Sequence, residues 1–185
     1  MYPTFGFLIC CVLLLPVEFT AQEASRRHLT RLEGGISVGG SGSVYFFAYD
    51  SGVHFQMAHG LCLDERSNIL AAAAYENYRD GNLLPLTLQA DRTFGKNAHQ
   101  LLKIHAGYAF GFNHGADTNY DYRGGAAAGA EYGWYLWKGK KMRLFMLFAY
   151  RFRRNAIVYR PFENAQSIRN RRDSHLLGIN AGIEF

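Results

Sequence analysis

Residues 174–185 read SHLLGINAGIEF, and their side chains alternate in character along almost the whole stretch. One row is apolar and consists of Leu177, Ile179, Ala181 and Ile183. The other row, made of Ser174, Leu176, Gly178, Asn180, Gly182 and Glu184, is polar or small except for Leu176. Successive side chains of a β-strand point to opposite faces. The stretch therefore predicts a strand with one apolar face and one polar face.

Similar segments recur along the chain. Strand candidates are 30–49, 53–63, 68–78, 84–94, 100–112, 122–137, 142–153 and 174–185. Several approach the roughly 9–11 residues that a tilted strand needs to cross a bilayer. We predict an all-β fold, an eight-stranded antiparallel up-and-down transmembrane β-barrel.

The connections between these segments alternate in length. Short polar turns are predicted at 64–67, 95–99 and 138–141, and the other connections at 50–52, 79–83, 113–121 and 154–173. Outer-membrane barrels have short periplasmic turns and longer outer loops. The first outer connection is short for this pattern. An alternative ends strand one near Gly39 and places 44–49 in a loop.

The two faces of each strand differ chemically. In 142–153, one face is apolar and the other carries three arginines, Arg143, Arg151 and Arg153. A soluble ligand-binding barrel would turn its apolar row inward, but eight strands leave room only for modest side chains inside. We therefore expect the charges and glycines inside and the aromatic residues outside, in lipid.

Aromatic residues are also expected in belts at the two membrane interfaces. The predicted outer belt contains Tyr75, Tyr78, Phe110, Phe112, Tyr120, Tyr122, Tyr150 and Phe152, and the periplasmic belt Phe94, Trp134, Trp137 and Phe185. Ordinary sheet packing would also favour aromatic residues in strands.

The N-terminus predicts export. Residues 5–17 form an apolar run that is too short to span a bilayer as a helix, which fits a signal peptide. We place the signal peptide at 1–22, with cleavage between about 20 and 24, and the barrel domain at 23–185. Cys62 is then the only cysteine, which leaves no internal disulfide. No second long apolar run exists, which argues against a helical membrane protein.

The chain resembles a known group of proteins. The segments NILAAAAYENY (68–78), LPLTLQADRTF (84–94) and GINAGIEF (178–185) look like those of small outer-membrane β-barrel proteins of the Bacteroidota kind, within the group that includes OmpX-like and OmpA-like barrels. The resemblance implies an outer-membrane location and a closing strand, ending in Ile183 and Phe185, that the barrel assembly machinery reads. Asn180 departs from it, standing where other barrels often have Gly.

Charged residues on the inward face form the first candidate site. The predicted lumen cluster consists of Glu33, Asp91, Lys103, Glu131, Arg143 and Glu184. Such charges must pair, because an isolated buried charge is very costly. We expect a salt-bridged plug without solute conductance; the alternative is a proton or ion path, or a gate.

The last outer connection is the second candidate site. Its arginines are Arg153, Arg154, Arg160, Arg169, Arg171 and Arg172. Guanidinium groups bind phosphate through a planar fork. We expect this loop to bind lipopolysaccharide or another anionic surface partner; a merely solvated loop is the alternative. No nucleic-acid-binding fold is recognisable.

Catalytic and metal signatures are weak. The histidines are scattered singly, without the spacing of a metal site, so we expect no metal and no cofactor. Ser174 and His175 are adjacent and so point to opposite faces of a strand. The main prediction is a structural or surface-interaction role carried by the outer loops, with a surface or envelope protein as a partner. The alternatives are a lipid A-modifying enzyme and a soluble secreted barrel that binds a small ligand.

Overall fold

The computed structural model describes residues 28–43, 46–78, 81–112, 120–159 and 168–185. The strands are β1 (His28–Ser43), β2 (Phe46–Cys62), β3 (Ser67–Tyr78), β4 (Gly81–Phe94), β5 (Gln100–Phe112), β6 (Tyr120–Arg123), β7 (Gly125–Lys138), β8 (Arg143–Tyr159) and β9 (Ile168–Glu184). One short 3₁₀ turn, Lys96–Ala98, precedes β5. In these ranges no helix is long and apolar enough to cross a membrane. The predicted signal peptide, 1–22, lies outside the described residues.

The strands form one closed antiparallel sheet. The strand β1 pairs with β2, β2 with β3, β3 with β4 and β4 with β5. Beyond β5 the order skips β6: β5 pairs with β7, β7 with β8, β8 with β9, and β9 returns to β1. The strands β6 and β7 both pair with β8 and are separated only by Gly124. Together they occupy one position in the wall, so the barrel has eight positions. The predicted eight-stranded antiparallel barrel is confirmed.

The strands are strongly staggered. The stagger can be read by starting at His28 in β1 and moving each time to the residue that is paired with it on the next strand. After all eight wall positions this path returns to β1 at Val38, ten residues farther along. With a rise of about 3.3 Å per residue and a strand spacing of about 4.8 Å, this stagger gives a tilt of roughly 40°. The same geometry gives a backbone radius of roughly 8 Å, which side chains can fill.

The two ends of the barrel differ in their connections. At the turn end, strands are joined through 63–66, 95–99 and 139–142, close to the predicted short turns. At the loop end, the connections 44–45, 79–80, 113–119 and 160–167 lie outside the described residues. The strands β8 and β9 pair as far as Tyr159 and Ile168, so the loop predicted at 154–173 is in large part a strand pair.

The predicted boundary between the first two strands was wrong. Residues 50–52 lie within β2, where Asp50 pairs with Gly39, and β1 continues past Gly39 to Ser43, which also excludes the alternative ending. Gly52 serves packing rather than a turn: a Cβ there would lie 2.5 Å from the Asn77 carbonyl oxygen and from the Tyr78 ring.

The interior is mostly polar and the exterior mostly apolar. Among the described residues, buried polar and charged side chains outnumber buried apolar ones. Large apolar side chains such as Leu88, Ile104, Phe148 and Leu177 are exposed on the outer surface. A chain in water would bury such side chains, since their transfer from water is favourable.

The aromatic residues separate into two groups. Tyr75, Phe110, Phe112 and Tyr150 are exposed near the loop end, and Trp134, Trp137 and Phe185 near the turn end. Phe94 and Phe152 are partly exposed. Tyr78 and Tyr122 contradict the prediction: both are buried inside, because they share strand faces with inward side chains. The side chain of Tyr120 lies outside the description.

Candidate functional site in the barrel lumen

A cluster of charged side chains fills the middle of the lumen. Lys103 Nζ lies 2.6 Å from Glu33 Oε2 and 2.8 Å from Glu131 Oε2. Asn180 Nδ2 donates hydrogen bonds to Glu33 Oε1 at 2.8 Å and to Glu131 Oε2 at 2.7 Å. All four side chains are buried, at 1% exposure or less. Water is therefore largely excluded, and the charges are neutralised by each other.

The strand arrangement explains these contacts. Glu131 is the direct neighbour of Lys103 on the adjacent strand, because β5 pairs with β7 in that register. Glu33 comes from β1, which stands opposite β5 in the eight-position wall. The Lys103–Glu33 pair therefore crosses the lumen.

Two glycines make room for this cluster. A Cβ at Gly35 would collide with Asn180 Oδ1 and lie 2.6 Å from His54 Cε1. A Cβ at Gly129 would lie 2.6 Å from two atoms of the His105 ring. Larger residues at these positions would displace the polar side chains that fill the barrel.

A second group of ion pairs lies toward the turn end. Arg31 Nη1 lies 2.6 Å from Asp91 Oδ2, and Arg31 Nη2 donates to Glu184 Oε2 at 2.6 Å. The Tyr135 hydroxyl donates to the same carboxylate at 3.0 Å. Arg143 also contacts Glu184, at 3.1 Å, but its side chain is 48% exposed. It therefore lies at the mouth of the lumen rather than inside it.

A third group lies toward the loop end. Arg153 donates from Nε to Glu76 Oε2 at 2.9 Å, and the Tyr78 hydroxyl donates to the same oxygen at 3.1 Å. Arg151 Nη2 lies 2.8 Å from His54 Nε2 and 3.5 Å from Glu131 Oε1, which links this group to the central cluster. Since β3 and β8 stand opposite each other, the Arg153–Glu76 pair also crosses the lumen.

Apolar side chains pack against the network toward both ends. Toward the turn end lies a cluster of Leu101, Tyr135, Phe145 and Leu147, and toward the loop end one of Tyr78, Leu83, Ala109, Tyr122, Ala127 and Leu176. The Arg31 guanidinium stacks on the Phe145 ring at 5.2 Å. The outer ion pairs are thus packed among apolar side chains.

The structure brings the predicted lumen residues close together, with Arg143 at the edge. The predicted lumen cluster lacks Arg31, His54, Glu76, Arg151 and Asn180, although Arg151 stands on a strand face that is expected to point inward. Strand alternation could have found them: Arg31 and Glu33 share a face of β1, and Arg151 shares a face of β8 with buried Leu147.

The predicted arginine loop is divided by the structure. Arg153 was wrongly placed on the loop; it is buried inside because it continues the inward face of β8. Arg154 points outward and donates two hydrogen bonds of 2.8 Å to Asp173. Arg169 and Arg171 are exposed on β9, Arg172 is partly exposed, and Arg160 lies outside the described residues.

The closing strand and the histidines have clear positions. Phe185 donates its backbone N–H to Thr30 O at 3.0 Å and accepts from Thr30 N at 2.8 Å, while Ile183 pairs with Leu32 and Leu144. Ser174 is buried inside, whereas His175 is exposed with Nδ1 2.8 Å from the Tyr150 hydroxyl. These two side chains therefore do not face each other. The described residues contain no group of three or more His, Cys, Asp or Glu that could hold a metal ion.

No family model and no curated protein matches the chain. The fold is similar to that of solved structures. The solid-state NMR structure of the outer-membrane protein AlkL in DMPC lipid bilayers has a TM-score of 0.56 at 11% identity, over 90% of this chain and 95% of AlkL. The outer-membrane protein OprG from Pseudomonas aeruginosa gives 0.52 at 11% identity, over 86% of this chain and 96% of OprG.

Neisserial surface protein A gives a TM-score of 0.50 at 12% identity, over 84% of this chain and 95% of its own. At these identities the likeness concerns the fold. The chain folds as a small barrel of the architecture found in outer-membrane proteins.

Proposed function

We propose that the chain is an integral outer-membrane β-barrel protein whose lumen is closed by ion pairs and whose loop end acts at the cell surface. In this orientation the turn end faces the periplasm. The exposed apolar exterior supports the membrane location, since lipid-facing strands need apolar side chains outside and tolerate polar ones inside. It also disfavours a soluble barrel.

The proposal of a closed lumen rests on ion pairs between opposite walls of the barrel. The pairs Lys103–Glu33 and Arg153–Glu76 join opposite walls, and both are almost fully buried. A passing solute would have to break these pairs, and removing one partner of a buried pair costs roughly 3–5 kcal/mol. An eight-stranded barrel offers no second route beside them.

Planar-bilayer recording tests the closed lumen. We expect the purified protein to insert without stable single-channel steps. A comparison variant, E33A/E76A/K103A/E131A/R153A, removes both crossing pairs and the charge of Glu131, and it should give measurable conductance if the barrel still migrates as a folded species on gels. Stable steps from the parent protein would refute the plug.

We further propose that the exposed arginines of the β8–β9 pair bind the phosphates of lipopolysaccharide. Arg154, Arg169 and Arg171 point outward beyond the aromatic residues Tyr150 and Phe152. That is the height of the outer-leaflet headgroups, and guanidinium groups bind phosphate through two parallel hydrogen bonds. Asp173 already holds Arg154, so Arg169 and Arg171 are the better candidates.

Charge reversal tests this contact. R169E/R171E should co-purify with several-fold less lipopolysaccharide than the parent, because two attractive contacts become repulsive. A matched variant with two reversed lysines at the turn end, K140E/K141E, should retain it. Equal lipopolysaccharide in parent and loop-end variant would end this proposal.

The finer assignments rest on the sequence. We propose that residues 1–22 are removed on export, that Ile183 and Phe185 are read by the barrel assembly machinery, and that the chain is related to the small barrels of the Bacteroidota. Mass measurement of the protein from the outer-membrane fraction tests the first point. Co-purification from native membranes would show whether an envelope protein accompanies it.

A further inference from the structure

The turn end carries a concentration of positive charge that the proposed function does not use. We define the basic rim as Arg66, Arg92, Lys96, Lys138, Lys140, Lys141 and Arg143. All of these side chains are exposed or partly exposed. In the same turns, the described acidic residues are Asp64 and Glu65, both at one end of the arc. The rim is therefore strongly cationic.

Hydrogen bonds between the turns hold these residues in one arc. The backbone N–H of Thr93 donates to Arg66 O at 2.8 Å, which ties the first turn to β4. Lys138 Nζ donates to Asn97 O at 2.7 Å and also to Ala98 O, which ties the third turn to the second. The rim thus has a fixed shape rather than being a set of independent turns.

Some rim residues are already engaged. Lys138 holds the second turn, Arg143 pairs with Glu184, and Arg92 lies over the Phe94 ring at 5.9 Å. Within the described residues, Lys96, Lys140 and Lys141 form no ion pair. Three ammonium groups therefore remain available on the exposed side of the rim.

The neighbouring surface indicates the kind of partner. On β7, the exposed side chains of Leu136 and Trp137 lie directly before the Lys138–Lys141 turn, and on β8 exposed Leu144 follows Arg143. The outer surface of these two strands is thus apolar, and the turn that joins them is cationic. Trp side chains favour the boundary between hydrocarbon and headgroups, which puts the lysines at the height of lipid phosphates.

We propose that the basic rim binds the headgroups of anionic phospholipids in the periplasmic leaflet. This inference rests on the proposed membrane orientation. A phospholipid fits both halves of the surface, with its acyl chains against Leu136 and Trp137 and its phosphate at Lys140 and Lys141. An acidic soluble protein would match the charge but would leave the adjacent apolar side chains to the lipid. Basic residues near a membrane surface attract anionic lipid strongly and in a salt-dependent way.

Spin-labelled lipids test the proposal. The full protein is reconstituted in phosphatidylcholine vesicles containing trace spin-labelled phosphatidylglycerol or spin-labelled phosphatidylcholine, and the motionally restricted fraction of each label is measured. We expect the parent to prefer phosphatidylglycerol by about threefold, falling toward equal association at high salt. The variant K96Q/K140Q/K141Q should lose most of this preference, and the charge-retaining variant K96R/K140R/K141R should keep it.

The outcomes separate this proposal from the proposed function. If the parent shows a restricted fraction that is equal for the two lipids, the proposal that the basic rim binds anionic lipid is refuted. The proposal of a membrane-embedded barrel is then retained. A preference that survives in K96Q/K140Q/K141Q also overturns the rim. No restricted lipid of either kind would overturn both, because the protein would then not be embedded.

Discussion

Lys103 is the side chain on which the closed lumen most depends. Its ammonium lies 2.6 Å from Glu33 and 2.8 Å from Glu131, whereas the next cation, Arg151, lies 3.8 Å and 3.5 Å from these carboxylates. K103M keeps the length of the side chain and removes its charge, leaving two buried carboxylates short of a partner. Breaking a buried pair in this way costs roughly 3–5 kcal/mol.

The two Asn180 hydrogen bonds remain in K103M and should hold the loss near the lower end, about 3 kcal/mol. Urea unfolding of parent and variant in lipid, followed by the fluorescence of Trp134 and Trp137, measures it. In the triple variant E33Q/K103M/E131Q the carboxylates are neutral, and at least half of the lost stability should return. K140M, at an exposed lysine, should change stability by less than about 0.5 kcal/mol.

Two results would refute this reasoning. One is a K103M variant whose free energy of unfolding is within about 1 kcal/mol of that of the parent, because loss of the ammonium that neutralises two buried carboxylates should cost more than that. The other is a triple variant as unstable as K103M, because the loss would then come from packing and not from uncompensated charge.

Two neighbouring glycines and two turn residues give further predictions. G35A should destabilise the barrel by about 1–3 kcal/mol, because its Cβ would collide with the Asn180 and His54 side chains. G34A is the control: the nearest atoms to its Cβ lie at 3.7 and 4.0 Å, so it should be nearly neutral in the same urea assay. Equal effects of the two substitutions would contradict the packing argument. K138M removes the ammonium that binds Asn97 O and Ala98 O, so amide hydrogen exchange in 95–99 should accelerate, and unchanged protection would show that the turn holds without it. Hydrogen bonds from the backbone N–H of Arg66 and from Ser67 hold the pKa of Asp64 below its ordinary value of 3.8. The Asp64 contribution to stability should therefore be complete above that value and decline only as the pH falls through the lower, folded-state pKa. D64A should abolish this part of the pH dependence. An Asp64 carboxyl that titrates at or above 3.8 by NMR would contradict the prediction.

Strand alternation was sufficient to predict the architecture and the two faces. The period of two separates apolar from polar rows in β5, β8 and β9. It also puts Arg153 on the inward face of 142–153, which is where the structure has it, so assigning Arg153 to the arginine loop contradicts the alternation. The end of β8 is hidden because RNAIVY, residues 154–159, lacks clean alternation: Asn155 and Ala156 are both buried.

The partners inside the lumen could not be predicted in the same way. Which residue of β1 meets which residue of β5 depends on the stagger of the closed sheet. That stagger is set by the register of every strand pair together. Gly52 shows a related limit, since a glycine that serves Tyr78 packing looks like a turn residue in the sequence.

Ion pairs between residues far apart in the chain constrain the order of assembly. Glu33 and Lys103 are 70 residues apart in the chain and Arg31 and Glu184 are 153 apart, so these contacts require most or all of the sheet to be in place. A partly built sheet would expose unpaired charges on its concave side, and each would be very costly in hydrocarbon. Loop closure over such separations is also slow. The sheet therefore cannot enter lipid strand by strand: insertion and closure must occur as one coupled step, or the concave side must be shielded from lipid until β9 meets β1.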